Sequence, residues 1–101
     1  MIFVAGTMTF DPAIMDEIMR DVAPLRRQTL TEEGCLHYSL LVEDASAGLI
    51  NVLEQWTGDD TLLTHLRQPW TGAFFAKYGP QLKGATVQVY DIAGARPLPE
   101  F

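Results

Sequence analysis

The spacing of apolar residues divides the chain into segments with strand or helix periodicity. Met1–Met8 has the length of a strand, and in a strand successive side chains point to opposite faces. Both faces of this segment carry apolar side chains, which predicts a first strand that is covered on both sides. A helical stripe follows, with apolar residues recurring at spacings of four, four and three: Ile14, Ile18, Val22 and Leu25. This pattern predicts an amphipathic helix that packs on a sheet.

Two prolines bear on this first helix. Asp11 and Pro12 form a strong helix start, because Asp caps free first-turn N–H groups and Pro loses nothing at the first helical position. Pro24 lies further along, where its ring clashes with the preceding turn and removes a hydrogen bond. We therefore expect the helix to be kinked or interrupted before Arg26.

Two further strands are predicted at Cys35–Val42 and Leu49–Trp56, joined by a polar loop at Glu43–Gly48. The loop contains Asp, Ser and Gly, which favour turns. In both strands each face mixes polar with apolar side chains. This pattern is unusual for a strand with one wet face, and it is explained if the second face meets another subunit or a ligand cavity.

The last part of the chain predicts a broken helical region and a final strand. Thr57–Asp60 carries capping residues that mark a helix start, and Pro69 ends this short helix. Trp70 opens a second apolar segment that ends near Gly79, and Ala85–Ile92 reads as the last strand. The segment 94–101 holds two closely spaced prolines, so it is either disordered or an arm laid across a neighbouring subunit.

The resulting order, β-α-β-β-α-β, predicts an α+β fold of ferredoxin-like type, with a four-stranded antiparallel sheet covered on one face by helices. We expect one domain at 1–93, followed by a C-terminal tail or dimer arm at 94–101. The uncovered sheet face needs protection, and symmetric pairing of two sheets would provide it.

Composition narrows the classes of function. The chain has 101 residues, 48% of them hydrophobic, and a net charge of −6 with scattered basic residues, so a nucleic-acid-binding surface is not expected. One cysteine rules out an intramolecular disulfide and fits a reducing cytoplasm. The apolar N-terminus lacks a basic region and reads as a strand, not a signal peptide. No apolar run approaches the roughly 20 residues that span a bilayer, so no membrane association is expected.

Several motifs give the chain a family resemblance. They are Glu33–Tyr38 at the second strand, Glu54–Trp56 at the end of the third, Leu63–Leu66 in the helix, and the later Pro69 and Phe74-Phe75. With these motifs the chain resembles the antibiotic biosynthesis monooxygenase superfamily of dimeric α+β barrels, and its small quinol-monooxygenase-like members in particular. The resemblance extends to about Ala93. It implies a homodimer with sheets packed face to face, a pocket between sheet and helices, and oxygenation of a small aromatic quinol without metal, haem or flavin.

The departures from related patterns leave alternatives open. The haem-degrading branch resembles this chain less, because the first strand here has no asparagine and 76–78 offers no histidine. The same superfamily includes isomerases and members without known activity, so the fold alone does not fix the chemistry. The alternatives to a cofactor-independent monooxygenase acting on an aromatic hydroquinone or polyketide-like phenol are an isomerase or lyase, and a non-catalytic protein that binds a small ligand.

His65 is the candidate catalytic base. Cofactor-free oxygenation requires a substrate phenol to be deprotonated in a dry cavity, and histidine is the side chain that titrates near neutral pH. The resemblance places a recurrent histidine at this position, and in the helix His65 lies at the edge of a leucine stripe. The alternative is a structural histidine that hydrogen-bonds a strand end or a capping group.

Aromatic and polar residues supply candidate substrate contacts. Trp56 and Trp70 could form flat walls for a ring substrate, although Trp56 also fits a plain core position. The remaining candidates are possible hydrogen-bonding groups or a ring facing the cavity: Tyr38, Tyr78, Asn51 and Phe74. Asn51 could instead serve a dimer interface.

Other reactive side chains have simpler interpretations. Glu54 would be costly to bury alone, so we expect it to pair with an arginine or a backbone donor, and a catalytic acid is the alternative. His37 reads as a surface or interface residue, and Cys35 has no basic neighbour to make it reactive. With two histidines 28 positions apart, no spacing typical of a metal site appears.

Overall fold

The first strand, β1 (Ile2–Thr9), lies inside an antiparallel sheet. A computed structural model describes all residues, 1–101. On one side β1 pairs with β3 (Leu49–Trp56), which in turn pairs with β2 (Cys35–Asp44) at the sheet edge. On its other side β1 pairs with two short strands, β4 (Gly84–Ala85) and β5 (Gln88–Asp91). If β4 and β5 are taken as one interrupted strand, this is the predicted ferredoxin-like order.

Three α-helices connect the strands. The first, α1 (Met15–Thr29), lies between β1 and β2, and its apolar stripe is buried as the sequence predicts. The second helical region is split at Pro69 into α2 (Asp59–Leu66) and α3 (Pro69–Tyr78). Short 3-10 turns occur at 12–14, 45–47 and 79–81. Both the α+β class and the broken second helix are therefore confirmed.

The expected interruption at Pro24 is wrong, because α1 continues through this residue to Thr29. Asp11 caps only the short turn before the helix, where its carboxylate accepts the Ala13 N–H at 2.9 Å. Pro24 is exposed, whereas Val22 and Leu25 on either side are buried. Packing on the sheet holds these neighbours in place and outweighs the loss of one backbone hydrogen bond.

The last strand differs from the continuous segment that the sequence predicts. It is interrupted between β4 and β5, where the hydroxyl of Thr86 accepts the backbone N–H of Thr7 at 2.9 Å. On β1, Gly6 has φ 150°, and a Cβ there would lie 2.7 Å from the Thr86 backbone. This close approach requires glycine, and it displaces the edge strand from a regular ladder.

The two faces of the sheet have opposite environments. The face towards the helices carries the core, to which β3 contributes alternate residues: Ile50, Val52, Glu54 and Trp56. The opposite face has no covering element, and here Leu41 is 62% exposed and Leu53 is 42% exposed. We call this uncovered face the open face. It carries a shallow depression of about 590 Å³, whose lining includes His37, Ser39 and Asn51.

The segment after β5 has no helix or strand, and its apolar residues Leu98 and Phe101 are exposed. No helix has the length and apolar character that a bilayer-spanning segment needs. The division into a domain at 1–93 and a tail or dimer arm at 94–101 stays a prediction.

Candidate active site

The short helix α2 brings His65 into the interior. Gly58 precedes the helix, and the Thr61 hydroxyl accepts its N–H at 3.3 Å, which fixes the start of the first turn. The inward-facing side chain near the end of this helix is then His65, which is only 2% exposed. Buried polar side chains are generally hydrogen-bonded, so the groups around the two ring nitrogens define the site.

Glu32, in the loop before β2, is the partner of one nitrogen. Its two carboxylate oxygens lie 3.1 and 3.0 Å from Nδ1 of His65. The indole N–H of Trp70 donates to the same carboxylate at 2.9 Å. The hydroxyl of Thr71 lies at 3.5 Å from Nδ1. One buried carboxylate therefore joins the loop, α2 and α3 around the histidine.

Glu54 on β3 faces the other nitrogen. Its Oε1 lies 3.9 Å from Nε2 of His65, which is longer than a hydrogen bond, and accepts the indole N–H of Trp56 at 2.9 Å. The rings of Trp56 and Tyr38 contact the imidazole, with centroid distances of 4.7 and 5.4 Å. The imidazole is thus held between two carboxylates and two aromatic rings.

Burial changes the pKa values of Glu54, Tyr38 and Cys35, which lie in or near this cluster. Desolvation raises the pKa of Glu54, although the Trp56 hydrogen bond and the nearby His65 act in the opposite direction. Desolvation, with the nearby Glu54 and Glu32 charges, also raises the pKa of Tyr38, so its phenol stays neutral. Burial raises the pKa of Cys35 to about 11, in keeping with the unreactive thiol that the sequence suggests.

A pocket of about 210 Å³ opens beside this cluster, between the sheet and α3. We call it the Glu54 pocket, and it is lined by Met8, Tyr38, Leu40, Val52, Glu54, Phe75, Leu82, Ala85 and Val87. Glu54 is its only carboxyl group. Its apolar walls limit hydration, and few polar groups are available to orient a ligand, as is usual in small-molecule sites.

The structure groups some of the sequence-predicted site residues and separates others. Tyr38 lines the Glu54 pocket, and Trp56 lies behind it, fully buried, as the hydrogen-bond donor to Glu54. Asn51 instead lies on the open face, where its side chain donates to Glu43 at 3.3 Å. Asn51 and His65 therefore cannot contact one ligand within a single subunit.

Three more predicted contacts lie outside the Glu54 pocket. Trp70, Phe74 and Tyr78 line a groove of about 270 Å³ between α1 and α3. The hydroxyl of Tyr78 donates to Asp21 in this groove. The aromatic residue of α3 that faces the Glu54 pocket is Phe75, the neighbour of the predicted Phe74.

The two glutamates beside His65 are not among the site residues that the sequence predicts, and for Glu54 a catalytic acid is only the alternative interpretation. Glu54 has neither of the partners expected for it, an arginine or a backbone donor, and Glu32 is not among the predicted site residues. A signal for Glu54 was present: Glu-x-Trp on a strand puts both side chains on one face, and a buried indole N–H needs an acceptor. Glu32 gave no such signal, because its contact with His65 joins two distant parts of the chain.

Comparison with solved structures places this architecture among known proteins. A conserved protein from Methanosarcina mazei is 27% identical, with a TM-score of 0.79, over 88% of this chain and 89% of that one. A Caulobacter crescentus protein, named provisionally an antibiotic biosynthesis monooxygenase, is 27% identical, with a TM-score of 0.82, over 92% and 90%. A provisionally named counterpart from Deinococcus radiodurans has a TM-score of 0.86 over 99% and 100%, at 18% identity, and shows the fold alone.

No functionally curated protein matches the chain. No group of three or more His, Cys, Asp or Glu side chains has the arrangement of a metal site. The family model described as "Antibiotic biosynthesis monooxygenase" matches residues 1–77, which include β1, β2, β3, His65 and both glutamates. The chain belongs to the antibiotic biosynthesis monooxygenase family.

Proposed function

We propose that the protein is a cofactor-independent monooxygenase that oxidises an aromatic hydroquinone or polyketide-like phenol with molecular oxygen. The observation that carries the proposal is the Glu54 pocket, an apolar cavity with one carboxyl group that is backed by a buried histidine. Family membership adds support at the level of reaction class. The substrate itself must supply the electrons in such a reaction.

The chemistry begins with loss of the substrate's phenolic proton. The resulting phenolate donates an electron to oxygen far more readily than the phenol does; one oxygen atom then enters the ring and the other leaves as water. We assign the proton to Glu54 and His65, whose side chains lie 3.9 Å apart beside the pocket. Tyr38 stays neutral, because its pKa is raised, so its hydroxyl can donate a hydrogen bond to the developing oxyanion.

The apolar lining has a role of its own. Residues such as Leu40, Val52 and Val87 exclude water from the pocket, which strengthens the interaction of a bound phenolate with the Tyr38 donor. Exclusion of water also protects a reactive oxygenated intermediate from side reactions. Trp56 contributes by fixing the carboxylate of Glu54.

We further propose that the working form is a homodimer joined through the open face. The exposed leucines at 41 and 53 on an uncovered antiparallel sheet support this assembly. In a dimer Asn51 would lie at the interface, which is the second of the two roles considered for it.

An isomerase or lyase is the second candidate function. The same Glu54–His65 pair favours it, because a carboxyl and an imidazole 3.9 Å apart can move a proton between substrate atoms without oxygen. Oxygen consumption separates the two reactions.

The test is oxygen uptake by the purified protein, in the presence of a chelator, with a panel of naphthohydroquinones and anthrols. We expect protein-dependent uptake above the autoxidation background. In the His65→Ala variant turnover should fall by about 100-fold or more, which is the usual size of a proton-transfer contribution, whether His65 takes the proton directly or acts through Glu54.

His37→Ala is the matched control, since it removes the other histidine and leaves the pocket unchanged. Because His37 lies on the open face, size-exclusion chromatography should show that this variant keeps the assembly of the wild-type protein. Circular dichroism should show both variants folded. Absence of uptake across the panel would contradict the monooxygenase proposal, and full activity of the His65→Ala variant would remove His65 from the mechanism.

A further inference from the structure

We propose that Glu54, and not His65, accepts the proton of the bound phenol, and that Glu32 is a positioning residue that orients His65 behind it. The inference rests on the part of the proposed function in which a phenol is bound and deprotonated. It does not depend on the oxidation that follows.

Access to the pocket distinguishes the two groups. Glu54 is one of the residues that line the pocket, whereas His65 is not among them and is enclosed by Tyr38 and Trp56. A phenol in the pocket therefore meets the carboxylate first. A general base must lie within hydrogen-bond reach of the proton that it removes, and only Glu54 satisfies this condition.

The proposed step is a single proton transfer. The O–H bond of the substrate breaks, its electron pair stays on the substrate oxygen, and the proton forms a new O–H bond with a Glu54 carboxylate oxygen. Before the step the negative charge lies on Glu54, and afterwards it lies on the phenolate. The total charge in the pocket is unchanged, so burial does not oppose the transfer as it would oppose creation of a new charge.

The surroundings of Glu54 suit this role. Oε1 is held by the Trp56 indole at 2.9 Å, and no arginine or lysine pairs with the carboxylate to keep it charged. Burial also makes this carboxylate a stronger base than an exposed glutamate, since its pKa is raised. The nearest positively chargeable group is His65.

Glu32 determines which nitrogen of His65 carries the hydrogen. Because the Glu32 carboxylate can only accept, its contacts of 3.0 and 3.1 Å assign a hydrogen to Nδ1. Nε2 then carries no hydrogen and lies 3.9 Å from Oε1 of Glu54. If this distance shortens to that of a hydrogen bond, Nε2 can accept a hydrogen bond from protonated Glu54. Trp70 holds Glu32 in place through its own N–H. An acceptor on the far nitrogen is the usual means of fixing a histidine tautomer.

Binding of 4-nitrophenol tests the role of Glu54 without any turnover. Its phenolate absorbs visible light, so its ionisation can be read directly, and its affinity can be measured above its own pKa. In the wild-type protein the phenolate needs a protonated Glu54, so affinity should fall about tenfold per pH unit once free Glu54 is ionised. In Glu54→Gln the affinity should be independent of pH in this range.

Glu54→Asp is the second variant, and because it retains a carboxylate it should retain the fall in affinity. The absorbance of the bound ligand should be that of the phenolate, and a neutral-phenol spectrum in the wild-type complex would overturn the proposal. A phenolate spectrum with the same fall in affinity in Glu54→Gln would assign the proton to His65 or another group and also overturn it. Absence of saturable binding to the wild-type protein would also contradict it. Absence of oxygen uptake, in contrast, would affect only the oxidation, because these measurements do not require oxygen.

The role of Glu32 has a separate spectroscopic test. Long-range ¹H–¹⁵N NMR of the ring should show Nδ1 of His65 carrying a hydrogen in the wild-type protein. Glu32→Gln replaces one carboxylate oxygen by an NH₂ group that donates, so Nδ1 of His65 can then either donate to the amide oxygen or accept from the amide N–H. The His65 signals should therefore change to a mixture of tautomers. Glu33→Gln, the exposed neighbour, should leave the spectrum unchanged. An unchanged His65 tautomer in Glu32→Gln would show that Glu32 does not position the ring.

Discussion

At the scale of single residues, burial determines which charges the site can hold. Glu54 is 8% exposed and its carboxyl group faces Tyr38 from β2, His65 from α2 and, further away, Glu32. Desolvation outweighs the two groups that favour the charged form, the indole N–H of Trp56 and His65, so the pKa of Glu54 is raised. An ionised Glu54 therefore costs the folded protein stability.

This cost predicts a pH-dependent difference between the wild-type protein and Glu54→Gln. Because the folded pKa of Glu54 lies above its ordinary value of 4.5, the folded state binds the proton more tightly than the unfolded state. The contribution of Glu54 to stability is then lost as pH rises from 4.5 through the folded pKa. Urea unfolding across this range should show the variant gaining relative stability, by about 1.4 kcal/mol for each pH unit by which the folded pKa exceeds the ordinary one.

The exposed Glu33→Gln serves as the control and should follow the wild-type curve. A stability difference between the wild-type protein and Glu54→Gln that does not vary with pH would contradict the raised pKa.

At the scale of elements, α1 illustrates how packing overrides local preference. The helix contains a proline in its interior, yet it runs unbroken because buried residues on both sides of Pro24 anchor it to the sheet. The sheet edge shows the reverse case. There a side-chain hydroxyl, that of Thr86, replaces a backbone partner of Thr7 and divides one strand into two.

Replacing Pro24 with alanine should stabilise the protein. Alanine restores the missing N–H and removes the ring clash, while Pro24 itself contributes little to the core because its side chain is exposed. We expect the free energy of unfolding to increase by about 1–3 kcal/mol, as measured by urea denaturation.

Pro80→Ala, at the start of the 3-10 turn after α3, is the control and should bring no such gain, because Pro is well suited to a first-turn position. A loss of stability in Pro24→Ala would contradict this prediction and would mean that the proline ring itself supports the packing of α1.

At the scale of the whole molecule, the unequal faces of the sheet are the dominant feature. Helices bury one face and enclose the Glu54 pocket, while the open face exposes leucines to solvent. Contiguous apolar surface of this kind usually marks an interaction site. A second copy of the chain is the occupant that we propose.

The charge-introducing substitution Leu53→Asp should convert the proposed homodimer into a monomer. A carboxylate at the centre of a paired sheet interface would be buried without a partner. Size-exclusion chromatography with light scattering should show a halved mass for this variant. Leu63→Asp is the matched control, because Leu63 is exposed to a similar extent, 46%, but lies on α2. A monomeric wild-type protein would contradict the assembly.

The sequence by itself determined the fold class and the order of its elements. The signals are local: strand and helix periodicity, the capping residues at Asp11 and Gly58–Asp60, and the break at Pro69. Local signals of this kind do not depend on contacts between distant parts of the chain. The motifs around Glu54–Trp56 and His65 likewise identified the family before any contact was known. On β3, the side of the strand that each residue occupies also followed from alternation, and it already separated Asn51 from Glu54. On β2 alternation fails at the start, where a register shift puts Cys35 against the core and leaves Leu36 exposed.

Only the tertiary structure decided which of these residues meet. The contact between Glu32 and His65 joins residues 33 positions apart, and the groove that contains Trp70 is separated from the Glu54 pocket by the packing of α3. Periodicity places a side chain on a face, but the rotation and docking of each helix select its partners. For the same reason the environment of Glu54, an indole and an imidazole with no arginine, emerged only from the packed core.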